Sequence, residues 1–346
     1  MADAEIIPID PRGGRDRLGR CRATTTSGRR CRNQAVDPSG HCRVHGTPVP
    51  PARPLGKTVR SRPRAAGSAG YEDLGSLGDF LRRRLAGDYP IDDFGYDLEL
   101  DRQVLLPLGR WLYRDYFRTQ TIGIDRIPAR GAALLVANHS GTIPLDGAMV
   151  AHAVATEHPD ERVVRSIAAN LAFTTPFFGE LARKSGAALA NDHDARELLR
   201  RGELVAVYPE GYKGVGKGWS ERYRLQRFGR GGFMQLALRT RVPIIPVAIV
   251  GAEEAYPMIA NVKILARALG LPYFPITPTF PLLGALGAIP LPSRWVIEFG
   301  EPIPMDIYPE DAAEDAMLVF DLADRVRDTI QQTLYKNLKV RGNPFF

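Results

Sequence analysis

The chain has 346 residues, 44% hydrophobic and 25% charged, enough for one large or two smaller domains and ordinary for a folded soluble protein. No stretch reaches the roughly 18 uninterrupted apolar residues a bilayer-spanning helix needs. The polar, arginine-rich N-terminus lacks the apolar core of a secretory signal. The expectation is a cytoplasmic protein, or one peripheral on the inner face of a membrane. The net charge of +7 is unevenly placed: residues 1–70 hold 14 Lys/Arg against 5 Asp/Glu, and the remainder holds 32 against 34. A basic segment of this kind attracts anionic lipid or nucleic acid, or is simply a solvated tail.

Residues 1–20 read as disordered. Residues 21–46 form a compact Cys/His module carrying all three cysteines. An odd cysteine count without a secretory signal argues against a disulfide framework. Cys21, Cys31, Cys42 and His45 instead offer three thiolates and an imidazole, a tetrahedral set for structural zinc, with His41 as an alternative ligand. The module is similar to small zinc knuckles, and its arginines make nucleic-acid binding a rival role. Nucleic acid is not the expected partner. Residues 47–70, rich in Pro, Arg, Gly and Ala, read as a basic linker.

Residues 71–120 are expected to be a helical, membrane-proximal segment. In LGDFLRRRLAG, Leu77, Phe80, Leu81 and Leu85 recur at helical spacing. A second helix is predicted over 100–118, where Trp111, Tyr113 and Phe117 either anchor the membrane side or pack inward. From residue 121 to 346, apolar runs alternate with helical patterns. Strands are expected at 131–137, VVRSIAA, GAALAN, LVAVYP, VPIIPVAIVG and WVIEFGEPI. Helices are expected at 145–157, PFFGELARKSG, ARELLRRG, GGFMQLALRT and 311–339. This alternation implies an α/β fold with a mostly parallel central sheet flanked by helices. Residues 269–293 break the pattern with six prolines and no charge. They either dip into a bilayer interface or fold back as core lining.

The chemistry concentrates at two strand ends. The first is followed by Asn138, His139, Ser140 and Gly141, then Pro144 and Asp146 in a predicted first helical turn. There a carboxylate is stabilised by the helix dipole, and Pro loses no hydrogen bond. An imidazole one loop away can be held by that carboxylate on one nitrogen and take a proton on the other. The second strand end carries Tyr208, Pro209, Glu210 and Gly211 at the edge where open α/β sheets bind ligands. Lys213, Lys217 and Arg222 follow, either as phosphate ligands or as a solvated basic face. Ser140 is a conceivable covalent nucleophile, but adjacency in sequence does not supply the geometry of a Ser–His pair. His152, His158 and His193 read as structural. Glu253 and Glu254 either orient a pocket group or lie exposed in a loop.

NHSGTIPLD (138–146), YPEG (208–211) and VPIIPVAIVG (242–251) together resemble, in order and separation, the conserved blocks of the glycerolipid and lysophospholipid acyltransferases. The resemblance covers about residues 120–305. It implies His139 as general base and Asp146 as its partner, with Glu210 and Gly211 in the acceptor or donor site and Pro246 lining the pocket. Six residues separate His139 from Asp146 where the usual number is four, as in the branch of diacylglycerol-acyltransferase-like proteins and their actinobacterial relatives. Asn191 stands near the place of an arginine that grips the acceptor phosphate in typical members, with Arg196 as a nearby substitute. The acceptor therefore either lacks a phosphate or holds it through Lys213, Lys217 or Arg222. The implied reaction moves a fatty acyl group from acyl-CoA or acyl-carrier protein to a lipid hydroxyl, with no cofactor for catalysis. Backbone N–H groups near Gly211 would stabilise the oxyanion.

Two rivals use the same residues. A lipid hydrolase would employ His139 and Asp146 on water. A nucleotidase would use Gly211 to Lys217, which matches GxxxxGK, but Gly218 stands where the magnesium-ligating Ser or Thr belongs.

Overall fold

A computed structural model describes residues 77–143, 145–174, 178–229 and 231–345. The expectations for residues 1–20, the Cys/His module and the linker lie outside the described residues.

The lead-in begins with α1 (Leu77–Ala86). Only Phe80 of its apolar residues is buried, while Leu77, Leu81 and Leu85 face outward. Its seat is polar: Arg84 pairs with Asp97 and lies over the Phe80 and Tyr89 rings. The expected helix over 100–118 is a continuous run of helical turns in which α2 (Leu98–Leu100) and α3 (Leu106–Arg110) alternate with wider π turns at Asp101–Leu105 and Trp111–Tyr116. Pro107 has no N–H to close an α turn. The aromatic residues divide: Tyr113 and Phe117 are buried, and Trp111 is exposed.

The main body follows as β1 (Gln120–Ile122), β2 (Ala133–Ala137), α4 (Leu145–Glu157), β3 (Val164–Ala168), α5 (Asn170–Thr174) and α6 (Phe178–Lys184). Next come β4 (Ala188–Leu189), α7 (Asp192–Arg200), β5 (Leu204–Val207), α8 (Tyr212–Val215), α9 (Gly232–Thr240), β6 (Ile244–Val250) and α10 (Ala252–Ala255). An excursion of β7 (Ala260–Asn261), α11 (Lys263–Ala268) and β8 (Pro275–Ile276) precedes β9 (Val296–Phe299) and α12 (Ala316–Arg341). The Asp315 carboxylate caps α12 by accepting from the N–H groups of Met317 and Leu318.

Seven strands form one sheet in the order β1-β9-β6-β2-β5-β3-β4. The strands β6, β2, β5, β3 and β4 are parallel neighbours. β9 runs antiparallel to β6 and parallel to β1. The sheet is thus mostly parallel and flanked by helices, as expected, with β1 as an added edge strand. Its faces follow the period of two. Leu134, Val136, Ile244, Ala248 and Val250 pack with α7, α9 and α12. Ala133, Leu135, Ala137, Ile245, Val247 and Ile249 pack with α4 and the lead-in aromatics. Burial on both sides is why these strands read as unbroken apolar runs.

Residues 277–291 form no strand or long helix. Leu282, Leu283, Leu286 and Ile289 are exposed, so this stretch is not core lining. It is pinned by the Tyr116 and Tyr256 hydroxyls, which donate to the carbonyls of Pro290 and Ala288.

Candidate active site

β2 lies between β5 and β6, so its C-terminal end meets the ends of both. Asn138 makes the join to β6. Its amide donates to the Ile249 carbonyl at 3.0 Å and accepts from the Ile249 N–H at 2.7 Å, fully buried. The alternation that puts Ala137 on the α4 face carries His139 to the same face, where the first turn of α4 begins.

There His139 Nδ1 lies 2.8 Å from Asp146 Oδ2. The same oxygen accepts the Ser140 N–H at 2.8 Å, and Oδ1 accepts the Gly147 N–H at 2.9 Å. The carboxylate is fully buried at the start of α4, with both oxygens taking backbone N–H groups. An ionised carboxylate only accepts hydrogen bonds, so Nδ1 is the donor and Nε2 carries the lone pair. Six intervening residues still allow this contact because Gly141 turns the chain at φ +81. A Cβ at Gly141 would fall 2.9 Å from the Ala252 carbonyl. Pro144 lies outside the described residues.

The Tyr208 ring lies 4.7 Å from the His139 ring, centre to centre. Burial pushes its phenol well above its ordinary range, with the Asp146 charge adding to the effect. Tyr208 therefore stays neutral beside the imidazole.

Glu210 does not present a free carboxylate. Oε1 accepts the His139 backbone N–H at 2.9 Å, and Oε2 accepts the Gln226 N–H at 2.7 Å. Gly211 sits at φ +54 and is exposed. Its N–H donates to the Tyr208 carbonyl, which commits it to the turn. The Tyr212 and Lys213 amides that follow stand in the first turn of α8, where helical N–H groups have no intrahelical acceptor.

The predicted basic cluster divides into three. Lys213 is exposed on α8. The Arg222 guanidinium lies over the Trp219 ring at 4.3 Å and is exposed. Lys217 is buried, 3.3 Å from Glu210 Oε2 and 2.9 Å from Glu253 Oε1, so it is not part of a solvated basic face. The run that mimics a phosphate loop is compact for another reason. A Cβ at Gly214 would come within 2.6 Å of the His139 carbonyl, and one at Gly216 within 2.8 Å of the Tyr212 carbonyl.

A small cleft opens beside these groups, lined by Gly141, Thr142, Gly214, Trp219, Arg222 and Tyr256 among others. Ser140 is fully buried. Asn191 caps α7 by accepting the Asp194 N–H, and Arg196 pairs with Asp192 on the same helix. Both are thereby committed to local structure. Pro246 lies within β6, fully buried. Glu253 and Glu254 are buried, with Glu254 holding the Tyr223 hydroxyl and Arg341; a pair of acids directly after a buried strand was the available signal.

Of the other described histidines, His158 and His152 are buried in structural seats. His158 Nδ1 accepts the Asp160 N–H, so Nε2 carries the proton donated to the Ile127 carbonyl. His152 is buried against Tyr113, and burial, with Arg110 nearby, pulls it down to about 4. His193 is exposed. No group of three or more His, Cys, Asp or Glu among the described residues is arranged to hold a metal ion. The expected ligands Cys21, Cys31, Cys42 and His45 lie outside those residues.

Comparison with known proteins supplies the context. The acyltransferase family model matches residues 118–250, which contain both strand-end blocks. An uncharacterized protein of Mycobacterium tuberculosis is 53% identical over 273 residues, 79% of this chain and 76% of that one. A human protein named DGAT1/2-independent enzyme synthesizing storage lipids is 27% identical over 221 residues, 64% of this chain and 62% of that one. The crystal structure of the 1-acyl-sn-glycerophosphate acyltransferase PlsC from Thermotoga maritima aligns with 17% identity and a TM-score of 0.46, covering 77% of this chain and 89% of that one. The His139–Asp146 pair and Glu210 all lie inside the matched span, so residues 118–250 of this chain form an acyltransferase-family domain.

Proposed function

We propose that the protein transfers a fatty acyl group from acyl-CoA or acyl-carrier protein to a hydroxyl of a glycerolipid or similar lipid. The observation that carries this reading is the His139–Asp146 pair: the buried carboxylate holds the proton on Nδ1, which leaves Nε2 as the base.

In this mechanism Nε2 removes the acceptor hydroxyl proton as the oxygen attacks the thioester carbonyl. The charge that develops on the carbonyl oxygen is met by backbone N–H groups, for which the Tyr212 and Lys213 amides are the candidates. Collapse of the tetrahedral intermediate breaks the C–S bond, and His139 returns the proton to the leaving thiolate. The Asp146 carboxylate stabilises the imidazolium between the two steps. In this reading Arg222, which lines the cleft, and Lys213, exposed on α8, meet any phosphate on donor or acceptor.

The lipid is met at a membrane surface in this reading. Leu108 and Trp111 are exposed on the lead-in, Tyr116 stacks on Trp111, and its hydroxyl reaches Pro290. In this reading the uncharged 277–291 stretch, tied to the lead-in at Pro290 and exposing Leu282, Leu283 and Leu286, adds to the apolar surface that meets the lipid. No described helix is long and apolar enough to cross a membrane.

The test is transfer of radiolabelled oleoyl-CoA to lysophosphatidate, lysophospholipids, monoacylglycerol, diacylglycerol and a long-chain alcohol, comparing wild type with His139→Ala. A lipid product made by wild type and lost in the variant supports the reading. Release of free oleate alone, also lost in the variant, replaces it with a hydrolase.

A further inference from the structure

We propose that Lys217 is a positioning residue for the reaction: from its buried seat between Glu210 and Glu253 it fixes the carboxylate that holds the His139 backbone. The inference rests on the acyl-transfer reading for its kinetic consequence and stands on geometry for the rest.

The side chains of Lys217, Glu210 and Glu253 are 3%, 0% and 7% exposed. Burying three ionisable groups is costly unless they compensate one another. The ammonium forms ion pairs with Glu253 Oε1 at 2.9 Å and Glu210 Oε2 at 3.3 Å and donates to the Arg224 carbonyl at 3.4 Å. Burial by itself would lower the ammonium, but the two carboxylates outweigh it and hold it above its usual value. Lys217 stays charged.

Each partner belongs to a different strand end. Glu210 follows β5, its other oxygen holding the His139 N–H at the end of β2. Glu253 sits in α10 after β6, with Oε2 accepting the Tyr223 N–H. Arg224 and Gln226 come from the loop that closes over them. One cation thus ties together the ends of three adjacent parallel strands. The ammonium lies against Oε2 while Oε1 holds the His139 N–H, so the carboxylate is held from both sides. Without the ammonium, a proton on Glu210 would face the Gln226 or His139 N–H, and the loop that carries the imidazole would lose its anchor. Nothing in this role requires Lys217 to touch substrate.

The experiment compares wild type, Lys217→Met and Lys217→Met/Glu253→Leu by amide hydrogen exchange of the segment around His139 and by kcat against pH. In Lys217→Met, exchange at the His139 amide should quicken at least about tenfold. Its kcat should fall by about tenfold or more, with KM changed by less than about twofold. The acid limb of its kcat profile should move to higher pH. The double variant, which also removes the stranded acid, should recover thermal stability while keeping the fast exchange and the displaced limb. Recovery of exchange protection and of the pH profile in the double variant would overturn the proposal, because Lys217 would then only balance Glu253. Unchanged exchange in Lys217→Met would overturn it as well. The exchange arm decides the matter even if wild type transfers no acyl group, so a failure of the acyl-transfer reading is seen separately.

Discussion

Glu210 Oε1 accepts the backbone N–H of His139 at 2.9 Å, across 71 residues of sequence. The carboxylate of the second block therefore serves the geometry of the first. Glu210→Gln presents an NH₂ to donors on one side and should lower kcat by roughly 10- to 100-fold with little change in KM. Steady-state kinetics on the folded variant checks it, and a rise confined to KM would return Glu210 to a substrate-binding role.

His139→Ala removes the proposed base and should lower kcat by roughly 10²- to 10⁴-fold. Asp146→Asn offers an NH₂ or a neutral oxygen to Nδ1, which frees the wrong tautomer, and should come close to the same loss. The two losses should not add in the double variant, since both remove one unit. Rates for the four proteins close this cycle.

Asn138 is fully buried with both ends of its amide bonded to Ile249. Asn138→Ala leaves the Ile249 N–H and carbonyl without these partners, at a cost of about 2–4 kcal/mol. Chemical denaturation should show this loss of stability, together with reduced activity because β2 and β6 lose their tie beside His139.

Burial pushes the Glu253 carboxyl up to about 7 from an ordinary 4.5. The folded state thus prefers the protonated acid more than the unfolded chain does. That contribution is full below pH 4.5 and is lost as pH rises through 7. Glu253→Gln cannot ionise, so its melting temperature should gain on wild type across this window. Melting curves at several pH values test it, and a constant gap would mean that Glu253 does not titrate there.

The Cys21, Cys31, Cys42 and His45 set predicts about one zinc per chain by metal analysis, from the four ligands of a structural site. Cys31→Ser should lower that content and leave acyl transfer by the main body unchanged. A metal-free wild type would remove zinc from the account.

Much of the site was legible because its parts are local. VANHS and LVAVYPEG each pair a buried strand with the polar residues at its end, so both signals lie within ten residues, and VPIIPVAIVG is a buried strand in itself. The contact of His139 with Asp146 was also readable, since one loop and one helical turn separate them. Lys217 was not. Its sequence neighbours are polar, glycine-rich and basic, which reads as a solvated face, and its burial depends on Glu253, 36 positions away. The apolar residues of α1 announced its helix but not its orientation. Their spacing defines an apolar face, but Arg84 and Asp97 decide which side meets the body.

The sequence by itself determined the alternation of strands and helices, the order of the blocks and the residues of the His139–Asp146 pair, because hydrophobic period and turn chemistry are properties of neighbouring residues. Only the tertiary structure decided which strand ends become neighbours. β2 lies between β5 and β6, and that order brings Glu210 to the His139 amide and closes Lys217 between two acids. Contacts across a sheet are set by which buried faces pack together, and no local pattern along the chain encodes that choice.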